Sequence, residues 1–355
     1  MTPFLAGGLL LLIAFLLTRL FNSKSKRTSN AISAANANPS EIISLRVYPI
    51  KSCRGFETTS TKQCMTGLDL DRRWMLVDEK THVFLTIRQI PEMTLINTGL
   101  SQDGESLVLS VSGSESIAIP AHPSESWLKA HTTLADDIKI WDTTTDGYVY
   151  NPDVGVNALF SKFLNRPVAL VYKGPTPRVL KGNGDPRVLG RVQDTNFPDV
   201  LPVLIASQAS IEELNSRLRA QGHEEISIER FRPNIIIRGH KGGAWVEDSW
   251  KTVRIGAEPP SEESLEKGHG KEGLTYDIVA RCGRCQVPNV DPVTAEKHKT
   301  QPWDTMMSYR RVDAGLKYKP CFGMLGVPRA EGEIRVGMRF EVLEETSEHF
   351  YIKGF

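Results

Sequence analysis

Arg281-Cys282-Gly283-Arg284-Cys285-Gln286-Val287-Pro288-Asn289-Val290-Asp291-Pro292 is the stretch around which the chain is organised. It holds two of only five cysteines, between two arginines, directly after the β-like run Tyr276–Ala280. A thiol beside guanidinium groups tends to lose its proton, and a thiolate is a nucleophile or a soft metal ligand. C-x-x-C spacing also fits two structural cysteines at a strand end, half a zinc site, or a redox dithiol. A second zinc pair is missing, since Cys53, Cys64 and Cys321 are each isolated. A thioredoxin-like dithiol wants a helix opening at the first cysteine, and Pro288 and Pro292 oppose one. On spacing alone, structural cysteines, one ligating or nucleophilic cysteine, and a dithiol all stay open.

Outward from this stretch, the chain reads as short strands. Upstream lie Glu41–Lys51, whose Ile43, Leu45 and Val47 alternate with polar neighbours, then Arg73–Asp78, His82–Arg88, Met93–Asn97, Ser106–Ser112 and Ser116–Ile119. Strands at this spacing imply a barrel or sandwich. Asp153 is positioned to cap a helix carrying Val156, Leu159, Phe160, Phe163 and Leu164 on one face, and Val168–Tyr172 returns as a strand. Gly174 to Asn196 is rich in Gly, Pro and Arg and reads as a surface connector; its Lys181-Gly182-Asn183-Gly184 lacks the flanking strand and helix of a phosphate loop. Val200–Ala206 is an apolar strand, followed by a helix with Ile211, Leu214 and Leu218 on one face, where Ser210 and Glu213 have capping-box spacing. Ile235–Arg238 reads as a strand, Trp245–Trp250 leads into Lys251–Ile255, Pro259 to Gly273 as an exposed charged insertion, Pro302–Arg310 as a helix, and Arg335–Leu343 as a final strand.

With 355 residues the chain has room for two domains. Its 43 basic and 42 acidic residues give no global field for nucleic acid. The five cysteines are too few and scattered for a disulfide framework, and the eight histidines form no zinc-hydrolase pair. Thr2 to Thr18 is uncharged and apolar, long enough as a helix for about 26 Å, with Leu20 and Phe21 extending it. Arg19, Lys24, Lys26 and Arg27 follow it and none precedes it, which favours a retained transmembrane helix with the body in the cytosol over a cleaved signal. Residues 1–22 are thus read as an anchor and 23–40 as a polar tether.

Several anion-binding groups sit at strand ends: Lys51 and Ser52 in Lys51-Ser52-Cys53-Arg54-Gly55, Arg72 and Arg73 in Asp71-Arg72-Arg73-Trp74, Arg88, and Arg232 and Asn234 in Phe231-Arg232-Pro233-Asn234. Surface salt bridges explain each one singly; together they are what a phosphate-bearing cofactor requires.

At these residues the sequence resembles the MOSC-domain family, of the mitochondrial amidoxime-reducing type. The likeness rests on Y-P-I-K-S-C-R-G (48–55), D-R-R-W (71–74), R-Q-x-P (88–91), S-x-A-S-I-E-E-L-N-S-R-L (207–218), F-R-P-N (231–234), E-D-S-W (247–250) and R-C-x-x-x-x-V-D-P (284–292), in that order. The resemblance implies an α+β, mostly β fold: an N-terminal β-barrel domain (41–175) and a MOSC β-barrel domain (176–355), preceded by the transmembrane helix. It implies a molybdenum cofactor, a molybdopterin, with Cys285 as a protein ligand to the metal and catalytic centre, and with Lys51, Ser52, Arg72, Asp199, Arg232 and Asn234 as cofactor-binding positions. Cys282 is then a structural neighbour. Val200 and Leu201 stand where the family usually has small hydroxyl residues, and Pro288-Asn289 where it has a Thr-Thr pair. The implied activity is reduction of small N-hydroxylated substrates, amidoximes and hydroxylamines, with electrons from a b-type cytochrome and its NADH-dependent reductase, at the outer mitochondrial membrane. Arg281 and Arg284 are expected to help keep Cys285 ionised. A cofactor-binding or sulfur-carrier protein without N-reductive turnover is the alternative, and an anchored β-barrel binding module with structural cysteines is a third reading.

Overall fold

The computed structural model describes residues 40–111, 116–240, 242–256 and 273–354. The expected anchor and tether up to residue 39, and nearly all of the charged insertion before Gly273, lie outside these residues. Among the described residues, no helix is long and apolar enough to cross a membrane.

Seven strands close into a barrel. Their order is Ile235–Ile237, Val203–Ser207, Cys321–Pro328, Leu274–Gly283, Trp250–Ile255, Arg339–Glu345 and Ser40–Val47, which pairs back onto Ile235–Ile237. Closure removes the open edges that a sheet of such apolar strands would otherwise expose. Six of these strands come from the second half of the chain and one from its beginning. Ser40–Val47 alternates buried and half-buried residues, with Ile42, Leu45 and Val47 in the core. Val203–Ser207 and Ile235–Ile237 are parallel neighbours. Parallel strands need a long crossover, here supplied by the helix Gln208–Ala220, which buries Ile211, Leu214 and Leu218. Val203–Ser207 and Cys321–Pro328 are buried on both faces, hence their unbroken apolar runs.

The other half is built from smaller antiparallel sheets. Trp74–Asp78, Val168–Lys173, Thr143–Tyr150 and Thr132–Ile140 form one, and Ile96–Leu100, Ser106–Val111 and Ile117–Pro120 another. A third joins Ser60–Cys64 to Gly332–Arg335, so the two halves are stitched by strand pairing.

Several local expectations change. His82–Arg88 is not a strand: only Val83 and Phe84 bridge neighbouring chain. The Gln89 side chain accepts from Thr86 N (3.2 Å) and Oγ1 (3.0 Å), and the chain turns there. Pro91–Leu95 is a 3₁₀ turn before the strand Ile96–Leu100. Asp153 does not cap the helix Val156–Phe163; it meets His131 (2.6 Å), and Gly155 in a left-handed conformation makes the entry. Ser210 and Glu213 form no capping box: Ser210 Oγ donates to Glu247 (2.5 Å), and Glu213 takes Trp245 Nε1 and Tyr309 Oη, both at 2.9 Å. The final strand splits at Gly337 (φ +86°) into Gly332–Arg335 and Arg339–Glu345.

Candidate functional site

Three tight turns, far apart in sequence, deliver three of the expected site residues to one cleft between the halves. In Ile50–Cys53, Cys53 N donates to Ile50 O (3.1 Å) and Ser52 takes the third position with φ +70°. Arg72 (φ +49°) occupies the corresponding place in Leu70–Arg73. Arg232 (φ +57°) ends the 3₁₀ turn Ile228–Phe231, just before Pro233. Left-handed backbone at non-glycine residues costs roughly 1–3 kcal/mol each and concentrates at functional sites. Here it aims two guanidiniums and a hydroxyl at the same space.

Tyr48, to which the sequence reading gave no role, organises the two arginines. Its buried ring lies under both guanidiniums, with the Arg72 carbon 4.5 Å and the Arg232 carbon 4.3 Å from the ring centre. Asp71, also buried, accepts from Tyr48 N (2.9 Å), Arg72 Nη1 (2.7 Å) and Asn234 Nδ2 (3.0 Å). Burial pushes its carboxyl above the ordinary value, with Arg72 and these hydrogen bonds opposing. Asn234 lines the cleft, but its amide is engaged by Leu204 N, Arg46 O and Asp71, so it locks the two halves together.

Arg232 Nη2 is buried with no hydrogen-bond partner, and so is Arg284 Nε. Burial and the nearby Arg72 charge push the Arg232 guanidinium down from its usual range. An unmatched buried cation is costly unless an anion meets it. Lys51, 5% exposed, donates to Phe197 O (2.9 Å) and pairs with Asp199. Burial lowers its ammonium to about 8, with Asp199 opposing. Burial would raise the Asp199 carboxyl, but Lys51 and Arg88 outweigh it and hold it well below the usual carboxylate range.

The cleft encloses about 1130 Å³, open space at its mouth included. Its wall carries six basic residues (Lys51, Arg72, Arg88, Arg232, Arg284, Lys319) and a single acidic one, Asp199. Apolar Leu201, Leu204, Phe231 and Leu325 form the remaining floor. Both Cys282 and Cys285 line it and all five cysteines are free thiols.

The expected electrostatic partners of Cys285 are rearranged. Arg88 Nε donates to Cys285 Sγ (3.4 Å), and the same guanidinium reaches Asp199 (3.2 Å) and lies over Trp141 (4.7 Å). Arg284 Nη1 instead meets Cys282 Sγ (3.0 Å), while its Nη2 donates to Phe231 O (2.8 Å). Arg281 turns away, to Asp313 (3.4 Å) and His349 O (3.2 Å). Cys282 and Gly283 line the cleft and Arg281 does not; the strand's pairing with Cys321–Pro328 is irregular between Arg281 and Gly283. Arg88 reaches Cys285 because of the Thr86–Gln89 turn, which a strand assignment concealed.

The Val-Asp-Pro end of the cysteine stretch is an anchor. Asp291 accepts from Val293 N (2.7 Å) and Thr294 N (3.1 Å) and pairs with Arg230 (2.6 Å). Arg230 lies two residues before Arg232, so the cysteine loop and the arginine turn are fixed to each other. Among the described residues, no three His, Cys, Asp or Glu side chains group as a metal-ligand set.

Residues 40–167 match the MOSC N-terminal beta barrel domain, and 193–341 match the MOSC domain. The chain belongs to the MOSC-domain family. It is 31% identical over 292 residues to the molybdenum cofactor sulfurase of Arabidopsis thaliana, with 79% of this chain and 32% of that protein covered. It is 27% identical over 304 residues to mitochondrial amidoxime-reducing component 1 of Danio rerio, with 83% and 82% covered, and 28% identical to the Homo sapiens protein of that name, with 83% and 81% covered. The chain thus spans about a third of the sulfurases it matches and about four fifths of the amidoxime-reducing components. A solved structure, the YUAD protein of Bacillus subtilis, aligns with 85% of this chain at 10% identity and a TM-score of 0.32.

Proposed function

We propose that this MOSC protein holds a molybdenum cofactor in the cleft and reduces small N-hydroxylated compounds, such as amidoximes and hydroxylamines. The observation that carries the reading is a thiol, Cys285, at the rim of a cleft whose buried cations exceed its acids and whose Arg232 Nη2 and Arg284 Nε have no partner.

The residues fit such a group. A phosphate-bearing pterin offers anionic oxygens to Arg232, Arg72, Arg284 and Lys51, with Ser52 as a neutral donor. Cysteine sulfur is a transition-metal ligand, and Cys285 would supply it here. When bound, the molybdenum supplies two-electron oxygen-atom chemistry. The chain's own part is positioning. Asp199 holds Lys51 and Arg88 in place, the Arg88 Nε–H points its charge at Cys285 Sγ, and Leu201, Leu204, Phe231 and Leu325 exclude water beneath.

Electrons would come from a b-type cytochrome served by an NADH-dependent reductase, and residues 1–22 would anchor the protein with its body in the cytosol, at the outer mitochondrial membrane. The likeness to proteins named mitochondrial amidoxime-reducing components, over four fifths of their length, supports the mitochondrial setting. The test is metal and pterin analysis of the purified protein, then benzamidoxime turnover with the reconstituted electron chain. Retained molybdenum with turnover is expected; a protein holding no pterin defeats the reading. The second reading, a cofactor-binding or sulfur-carrier protein, is favoured by Cys282, a second cleft thiol with its own guanidinium at 3.0 Å, and by the sulfurase relatives. Delivery of cofactor to an apo-enzyme without N-hydroxy turnover would select it.

A further inference from the structure

The segment Thr346–Gly354 follows the last barrel strand and lies beyond the region that matches the MOSC domain, yet it returns to the cleft. It is tied down along its length. Thr346 N donates to Ser249 O (2.6 Å), His349 Nε2 meets Trp250 O (2.7 Å), and Arg281 Nη1 donates to His349 O (3.2 Å). Tyr351 N donates to Asp313 Oδ1 (2.9 Å). Asn183, itself buried, acts as a strand partner would: its Nδ2 donates to Phe350 O (2.9 Å) and its Oδ1 accepts from Ile352 N (2.7 Å).

Glycines make the approach possible. A Cβ on Gly182 would sit 2.4 Å from Ile352 O, and one on Gly315 would sit 2.2 Å from Tyr351 O. Lys181-Gly182-Asn183-Gly184 is therefore neither a phosphate cradle nor an idle loop, but the clasp that holds this strap.

The clasp places Tyr351 in the cleft wall with Asp199, Cys282, Arg284 and Cys285, with only 9% of the residue exposed. Among the described residues its phenol hydrogen-bonds to no other group. Burial, with the Cys282 and Asp199 charges nearby, raises the phenol above its ordinary value, so the donor proton stays on. The phenol oxygen is not fully enclosed by protein, so its hydrogen bond is open to a ligand in the cleft.

We propose that Tyr351 is a specificity-determining residue, its phenol donating a hydrogen bond to an oxygen or nitrogen of a small polar substrate lodged beside the cysteines. This rests on the cleft being the substrate site, as proposed above. Two variants of the cofactor-loaded full chain test it, Tyr351→Phe and deletion of 346–355. Tyr351→Phe should raise KM for benzamidoxime roughly 3- to 10-fold, with kcat and molybdenum content unchanged, because a lost neutral hydrogen bond weakens binding by about that factor. Independently of turnover, iodoacetamide labelling of Cys282, resolved by peptide mass spectrometry, should accelerate in the deletion and in Asn183→Ala, but not in Tyr351→Phe. An unchanged KM in Tyr351→Phe, or equal Cys282 labelling with and without the strap, would overturn the proposal. Absence of turnover in the wild-type chain is a different result: it sinks the functional reading, while labelling still reports whether the strap walls the cleft.

Discussion

Two aspartates in this molecule each gather two cations, and they do so to different ends. Asp277, on the barrel strand Leu274–Gly283, meets Arg191 Nη1 (2.7 Å) and Arg329 Nη2 (2.5 Å). Arg191 also donates to Gln193 Oε1 (3.0 Å) and Pro328 O (3.2 Å). That cluster is closed. Asp199 meets Lys51 and Arg88, but Arg72, Arg232 and Arg284 crowd the same cleft, and two of their nitrogens find no acceptor. The closed cluster holds the fold together. The open one carries more positive charge than its one lining acid matches, which is what the proposed anionic cofactor would meet. Charge imbalance, rather than the presence of arginines, separates a site from a brace.

The largest expected effect concerns the thiols. Cys285→Ser should reduce benzamidoxime turnover to background, whereas Cys282→Ser should keep most of it; equal loss in both would make the pair, not Cys285, the functional unit. Next is the orphan cation. Arg232→Ala should weaken pterin retention about 10- to 100-fold, with Arg232→Lys intermediate, on the scale of one charge-assisted hydrogen bond. Metal-to-protein ratios after dialysis measure this, and Arg329→Ala should leave them unchanged.

The third effect is one of pH. In the free cleft the Lys51 ammonium titrates near 8, below its ordinary value, because it is buried. An anion favours the protonated form, so anion affinity is full below pH 8 and falls above it, by up to about tenfold per unit, as one proton must be taken up. Calorimetric titration of pyrophosphate from pH 6.5 to 9.5 should show this slope, and Lys51→Met should flatten it. The stability linkage has the opposite sign: the unfolded chain holds the Lys51 proton more tightly, so this residue's share of stability rises as pH increases from about 8 to about 10.5. The smallest effect is at the closed cluster. Arg329→Ala should cost less than about 1 kcal/mol in urea melts, since the Arg329 side chain is half exposed and screened by solvent. A loss of several kcal/mol there would blur the contrast drawn between the two aspartates.

Much of this was legible in the sequence, and the rest was hidden for identifiable reasons. The alternating run that includes Ile43, Leu45 and Val47 announces a strand wherever its partners lie, and Lys51, Ser52, Arg72, Asp199, Arg232, Asn234 and Cys285 do share one cleft. Their mutual geometry was out of reach. Which guanidinium faces which thiol depends on an irregular strand pairing and on a turn set by the Gln89 side chain. Tyr48 looked like one more aromatic of a strand end; its role exists only because two turns from distant segments meet over its ring. Asn183 and its flanking glycines read as part of a surface loop but form a 3₁₀ turn with Asn183 and Gly184 buried, because their partner lies about 170 residues away in the strap.

The strand Ser40–Val47 has a consequence for how the molecule is made. It pairs with Phe56–Thr58 nearby, but the barrel closes only when it is flanked by Ile235–Ile237 and Arg339–Glu345. On the ribosome, this strand emerges well before both of those partners and must wait for them. Sequence separations of this size make folding slow and leave apolar edges uncovered meanwhile. A carboxy-terminal half expressed alone would lack this stave, and should recover a closed barrel only when the missing strand is supplied in trans.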